Sequence, residues 1–150
     1  MEDFDKALKY AFLLLKFRQR SSSELTFRLK KKGYSDQTIQ KILEYLKGNK
    51  YLDDLELAKN YIMTLSKKGF GKKRILSTLK KLGILEQVLE NLNFKSDIEM
   101  LSSMIDKKIL QYKGSKNISG KILRYFLARG FEYEEILDQL NKKGLYNDNN

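Results

Sequence analysis

The sequence predicts an all-α protein, an elongated, curved array of three tandem three-helix repeats, and three observations carry that prediction. Its 150 residues include no proline. Apolar residues recur three and four apart, as at Leu25 and Leu29 and at Ile39, Ile42, Leu43 and Leu46, which is the spacing of one helix face. A short phrase also returns: LKKKGY at Leu29–Tyr34 comes back as LKKLGI at Leu79–Ile84 and, more loosely, as FLARGF at Phe126–Phe131. Aligning the phrases on Gly33, Gly83 and Gly130 sets Leu25 against Ile75 and Ile122, and Ile39 against Leu89 and Ile136. Recurrence at this period marks a stack of supersecondary blocks, each burying its apolar face on its neighbours.

The elements follow in order. The first repeat, residues 1–52, is expected to hold helices over Asp5–Phe17, Ser22–Lys32 and Ser35–Lys47. The second, 53–95, takes Asp54–Lys67, Lys72–Leu82 and Leu85–Leu92. The third, 96–150, takes Asp97–Tyr112, Ser119–Arg129 and Tyr133–Lys142 and ends in a polar tail. Ser21-x-x-Glu24 and Ser96-x-x-Glu99 have the spacing of capping boxes, and Asp53 and Asp54 suit the first turn of the fourth helix. In each phrase the glycine stands one step past a helix end, where a positive φ closes the helix at least cost. The cations before it face the negative end of the helix dipole, and Tyr34, Ile84 or Phe131 then turns back to the core.

Composition narrows the function. With 30 Lys and Arg against 19 Asp and Glu, the chain carries a formal charge of +11 and needs an anionic partner: phosphate, an anionic membrane or an acidic protein surface. The excess declines along the chain, from 12 basic against 6 acidic residues in 1–52, through 9 against 5 in 53–95, to 9 against 8 in 96–150. His and Cys are both absent, which removes thiol chemistry, Cys/His zinc sites and Ser-His or Cys-His dyads. No enzymatic activity, cofactor or metal is expected. The opening MEDFDKALKY is acidic where a secretory leader is basic, and the longest apolar run is Tyr10–Leu15, so a cytoplasmic protein without membrane contact is expected.

Four features of the sequence bear on chemistry. KKGFGKKR, Lys67–Arg74, mixes glycines and cations but does not fit a P-loop. Lys72, Lys73 and Arg74 fall in a helix's first turn, where positive charge opposes the dipole, so a compensating phosphate or carboxylate is expected. The runs Lys30, Lys31, Lys32 and Lys80, Lys81 exceed the single cation that a helix end calls for, whereas the third repeat has only Arg129 there. A helix-turn-helix reader of DNA sequence is disfavoured, because the third helices begin with Asp36, with Glu86, and with Glu132, Glu134 and Glu135, where phosphates and base edges would lie. Asp53, Asp54, Glu56 and Lys59 loosely suggest a Mg²⁺ nuclease, yet a cap and an exposed face explain them better. Tyr10, Phe12, Tyr61, Tyr125 and Phe126 stand at helical spacing among aliphatics and are expected in the core.

RQRSSSEL at Arg18–Leu25, LKKKGY, YLDDLELAKNYI at Tyr51–Ile62 and KGFGKKRILSTLKKLGI at Lys68–Ile84 occur together and in order. In these elements the chain closely resembles the RecX family of bacterial recombination regulators. The resemblance is carried by motifs from Ala7 to Ile84, and beyond by helix spacing and FLARGF. Two departures are visible: Lys50-Tyr51 stands where the family usually has a small residue or glycine before its LDD element, and the third repeat is more acidic. The resemblance implies a non-enzymatic protein that binds the RecA filament on single-stranded DNA along its groove and lowers filament growth, ATPase, strand exchange and coprotease activity. The residues expected to meet the filament or DNA phosphate are Lys30, Lys31, Lys32, Lys72, Lys73, Arg74, Lys80 and Lys81, then Arg18 and Arg20, with Lys67, Lys68 and Arg129 beside them. A monomer is expected, since no heptad seam is present. The alternative is a stand-alone nonspecific nucleic-acid binder, separable by tight, steeply salt-dependent binding to naked DNA.

Overall fold

A computed structural model describes residues 2–145 of the chain; the polar tail expected at the end of the third repeat lies, from residue 146 on, outside the described residues. Among the described residues the protein is all-helical. Its elements are α1 (Glu2–Phe17), α2 (Ser22–Lys31), α3 (Asp36–Gly48), α4 (Asp54–Lys67), α5 (Lys72–Lys81), α6 (Glu86–Asn91), α7 (Ile98–Gln111), α8 (Ile118–Ala128) and α9 (Tyr133–Lys142). Every helix expected from the sequence forms. None is long and apolar enough to cross a membrane.

The chain gathers into two compact units, one of residues 2–61 with 78–92 and the other of 62–77 with 93–145. The segment 53–95 thus contributes to both. In the first unit α1, α2 and α3 close around Ala7, Ala11, Leu14, Leu25, Leu29, Ile42 and Leu46. In the second, α7, α8 and α9 close around Leu101, Ile105, Ile122, Phe126, Phe131, Ile136 and Leu140. The register taken from the sequence carries into burial: Leu25, Ile75 and Ile122 are fully buried, and so are Leu29, Leu79 and Phe126. Of the aromatics expected inside, Phe126 is fully buried, while Tyr10, Phe12 and Tyr125 are half-buried against these cores.

Helix ends explain the repeated phrase at the level of the backbone. Gly33, Gly83 and Gly130 have φ of 100°, 78° and 96°. In each case the glycine N–H donates to the carbonyl three residues back, and the next N–H to the carbonyl five back: Tyr34 to Leu29 at 3.2 Å, Ile84 to Leu79 at 3.2 Å and Phe131 to Phe126 at 3.1 Å. This double bond pattern satisfies carbonyls that the helix leaves open, and the following apolar residue is thereby carried back onto the core. The same closure ends α3, where Lys50 takes the glycine's place at φ 62° and the Tyr51 N–H reaches the Leu46 carbonyl at 2.8 Å.

Helix starts agree with expectation at α2 and α4 and differ at α7. Ser21 and Glu24 form the full capping box of α2. The Glu56 N–H donates to Asp53 Oδ1 at 3.1 Å, and the Ser22 N–H donates to Asp54 Oδ1 at 2.9 Å. The capping box expected from Ser96 and Glu99 does not form. Asp97, as good a cap as serine, accepts from the Met100 N–H at 2.9 Å, which leaves the Ser96 hydroxyl to accept from the Lys72 N–H at 3.0 Å.

Candidate functional site

Each glycine turn of the later phrases is seated on the start of an earlier second helix, and the two seats are made alike. In the first unit the Ser21 hydroxyl donates to the Leu82 carbonyl, and a Cβ on Gly83 would strike the side chain of Ser23. In the second unit the Gly71 N–H donates to the Arg129 carbonyl at 2.8 Å, the Lys73 N–H donates to the Gly130 carbonyl at 3.0 Å, and a Cβ on Gly130 would strike the backbone of Arg74. Ser21 and Gly71 hold the same place in the register, as do Leu82 and Arg129. Gly33, which has no earlier phrase to sit on, has open space around it. The glycines therefore let backbone approach backbone, and the cations beside them are carried outward.

The first unit holds Arg18, Arg20, Lys30, Lys31, Lys32, Lys80 and Lys81. Arg18 is bound to its own chain: Nη2 lies 2.5 Å from Glu24 Oε2 and Nη1 donates to the Gln19 carbonyl at 2.9 Å. The Glu24 hydrogen bond holds the Arg18 guanidinium above its ordinary value. Burial pushes the Glu24 carboxyl up, but the Arg18 hydrogen bond, the Ser21 N–H and the charges of Arg18 and Arg20 outweigh it, and the net direction is down. Arg20 is half-buried, with Nη1 3.7 Å from Glu24 Oε2.

The lysine runs are different. Lys30 faces Asp36 at 3.5 Å, and Lys80 faces Glu86 at 4.0 Å, each pair well exposed and therefore worth little. These are the acids that open α3 and α6, so the repeat reproduces an exposed ion pair along with its turn. Lys32 lies over the Tyr10 ring, 5.0 Å from its centroid. Lys31 and Lys81, equivalent in the register, are exposed, and among the described residues no carboxylate pairs with either.

The second unit holds Lys67, Lys68, Lys72, Lys73, Arg74 and Arg129. The anion expected at the start of α5 is supplied in part by the chain itself. The Lys72 and Lys73 N–H groups donate to Ser96 and Gly130, and Lys73 Nζ lies 3.1 Å from Glu132 Oε2. Arg129 acts as a staple: Nε donates to the Gly69 carbonyl at 3.0 Å and Nη2 to the Lys68 carbonyl at 2.6 Å, across the turn that ends α4. Its guanidinium also lies 4.4 Å from the Phe70 ring centroid, and that of Arg74 lies 4.9 Å from it. Lys67 and Lys68 are exposed beside this turn. Phe70 was not singled out in the sequence, although an aromatic between two glycines and flanked by cations is the signal that finds it.

No group of three or more carboxylates is placed to hold a metal among the described residues, and Asp53 and Asp54 are both engaged as caps. What these surfaces offer is charge at helix ends, carried on turns fixed by backbone hydrogen bonds. Fold and surface together define a class: an all-helical, basic protein built from a recurring helix–glycine–helix block.

Comparison with known proteins resolves the class further. The model of the first three-helix domain of RecX matches residues 7–46. The regulatory protein RecX of Bacillus licheniformis is 33% identical over 98% of this chain, which spans 59% of that protein's length. The regulatory protein RecX of Mannheimia succiniciproducens is 30% identical, with 88% of this chain matched to 90% of that protein. The crystal structure of RecX from Lactobacillus salivarius shares the fold at a TM-score of 0.84 and 24% identity, covering 97% of this chain and 99% of that one. The chain belongs to the RecX family of regulatory proteins. Its relatives are named as regulators rather than enzymes.

Proposed function

We propose that this protein is a cytoplasmic, monomeric regulator of recombination and DNA repair that binds the RecA filament on single-stranded DNA along the filament's groove and inhibits it. Blocked extension or faster disassembly would lower ATPase, strand exchange and coprotease activity together, and with them the SOS response. The observation that carries this reading beyond family membership is the pair of equivalent lysines, Lys31 and Lys81, both exposed and without a carboxylate among the described residues. Contacts of this kind, made by 1–52 and 53–95 among the three related blocks 1–52, 53–95 and 96–150, suit a target that itself repeats. Acidic filament surface and DNA phosphate are both complementary to them, and a few desolvated contacts would carry the affinity.

The test is the ATPase rate of RecA on single-stranded DNA as the protein is added below one copy per RecA, with a parallel titration of the DNA alone. Inhibition at these ratios, little binding to naked DNA at the same salt, and loss of inhibition on K31E/K81E with unchanged thermal unfolding and on K72E/R74E with the protein still folded are expected. Inhibition only at amounts that coat the DNA would instead identify a nonspecific nucleic-acid binder. Full inhibition by both double variants would refute the assignment of these cations.

A further inference from the structure

An open groove of about 520 Å³ runs along α1 beside the end of α2, within the first unit. Its floor is apolar: Tyr10, Phe12, Leu13 and Tyr34. Its rim is four lysines, Lys6, Lys9, Lys16 and Lys32. Three of these share one stripe of α1 with Leu13, since residues 6, 9, 13 and 16 fall at three- and four-residue steps. Leu13 is 52% exposed at the centre of that stripe. Lys16 complements the negative end of the α1 dipole, but Lys6 and Lys9 stand away from it and gain nothing there. Among the described residues no carboxylate pairs with Lys9, Lys16 or Lys32.

We propose that this groove is a docking site for an acidic segment of a partner protein that carries an aliphatic or aromatic anchor. Like charges around an apolar strip repel one another and leave the strip wet, and both costs are relieved by a ligand with carboxylates flanking an apolar side chain. The floor favours such a side chain over a nucleic-acid base. Stacking needs an open aromatic face, whereas Lys32 already lies over the Tyr10 ring and Phe12 meets Tyr51 edge-on at 5.0 Å between centroids. Leu13, the most accessible point of the floor, offers a base neither a stacking face nor a hydrogen bond. The site is distinct from the lysine turns assigned to the filament, sharing only Lys32 with them, and it stands or falls separately.

The experiment uses the full chain and three fluorescent probes: a peptide of Glu and Asp interspersed with Leu and Phe, a peptide of equal charge with Ser in place of the apolar residues, and an oligothymidylate. The acidic-apolar peptide is expected to bind at least about tenfold more tightly than the polar one, and to lose roughly tenfold or more on K9E/K16E and again on L13E, with thermal unfolding unchanged. Equal binding of the two peptides would overturn the role of the floor, and failure of the acidic-apolar peptide to bind would overturn the proposal altogether. Oligothymidylate binding that K9E/K16E abolishes, without any peptide binding, would make the groove a nucleic-acid site. Self-association in sedimentation that L13E abolishes would mean that a second copy of the chain covers it.

Discussion

Three glycine-to-alanine variants separate the two reasons a glycine stands in the repeated phrase. Gly33, Gly83 and Gly130 all have positive φ, so alanine at any of them meets left-handed backbone strain of about 1–2 kcal/mol, offset by several tenths through the stiffer unfolded chain. At Gly33 nothing lies within reach of the new methyl, and the net cost should be about 1 kcal/mol. At Gly130 the methyl meets the Arg74 backbone, which no side-chain rotation can relieve. Forcing that contact apart threatens the Gly71–Arg129 and Lys73–Gly130 hydrogen bonds and adds about 2 kcal/mol or more, for a total near 3 kcal/mol. Gly83 should resemble Gly130, because its methyl meets Ser23 Cβ as well as Oγ, and rotation of the serine side chain moves only the hydroxyl. Thermal unfolding of the full chain reads the order directly: at about 2–4 °C per kcal/mol, G33A should lower Tm by a few degrees and G130A by roughly 6–12 °C. Equal losses at Gly33 and Gly130 would refute the seat as the reason for the glycine and leave φ alone as its explanation.

Other consequences follow from the same contacts. Arg129→Ala removes two donated hydrogen bonds and a cation–π contact and should cost about 2–3 kcal/mol; Arg129→Lys should recover little of it, since one ammonium cannot reproduce the fork, and full recovery in urea unfolding would argue against the staple. Glu24 has a carboxyl held below its ordinary value, so its contribution is complete above the unfolded value of about 4.5 and is lost as pH falls through the lower folded value. The Tm gap between the wild type and Glu24→Gln should accordingly be widest near neutrality and narrow in acid, and a gap that widens in acid would reverse the sign. Lys50→Gly should stabilise the protein by about 0.5–1 kcal/mol, because a lysine at φ 62° bears strain that glycine does not; a lower urea midpoint would show that the Lys50 side chain matters more than its backbone.

The sequence was most informative where local chemistry and global packing asked for the same residue. Apolar spacing, Ser21-x-x-Glu24 and the glycines after α2, α5 and α8 located the helices, and the register predicted which residues are buried together. It was least informative where two groups compete for one role. At α7 both Ser96 and Asp97 qualify as caps, and only the approach of the α5 start decides that serine serves Lys72 instead. Arg129 likewise read as one more cation of the basic phrase, because nothing local reveals that the carbonyls of Lys68 and Gly69 end a turn within its reach. The α1 groove is not marked by apolar periodicity, which reports the buried face, whereas residues 6, 9, 13 and 16 form a mostly basic stripe on the other.

The recurring phrase serves two requirements with one piece of chain. Its glycine is needed twice over in the later copies, once to close a helix and once to let that closure sit on an earlier helix start, whereas the first copy meets only the former need. Its cations are then displayed at the ends of helices whose carbonyls are already satisfied within the turn, so they are not consumed by capping. Arg129 is the exception that tests this division. In the third copy the run of lysines has shrunk to a single arginine, and that arginine is drawn inward to hold a neighbouring turn. A charge that repeats but is spent on the fold should be silent in partner binding, and one that repeats and stays exposed should not. Charge reversal at Lys31 and Lys81 is therefore expected to change binding without stability, and truncation at Arg129 to change stability first.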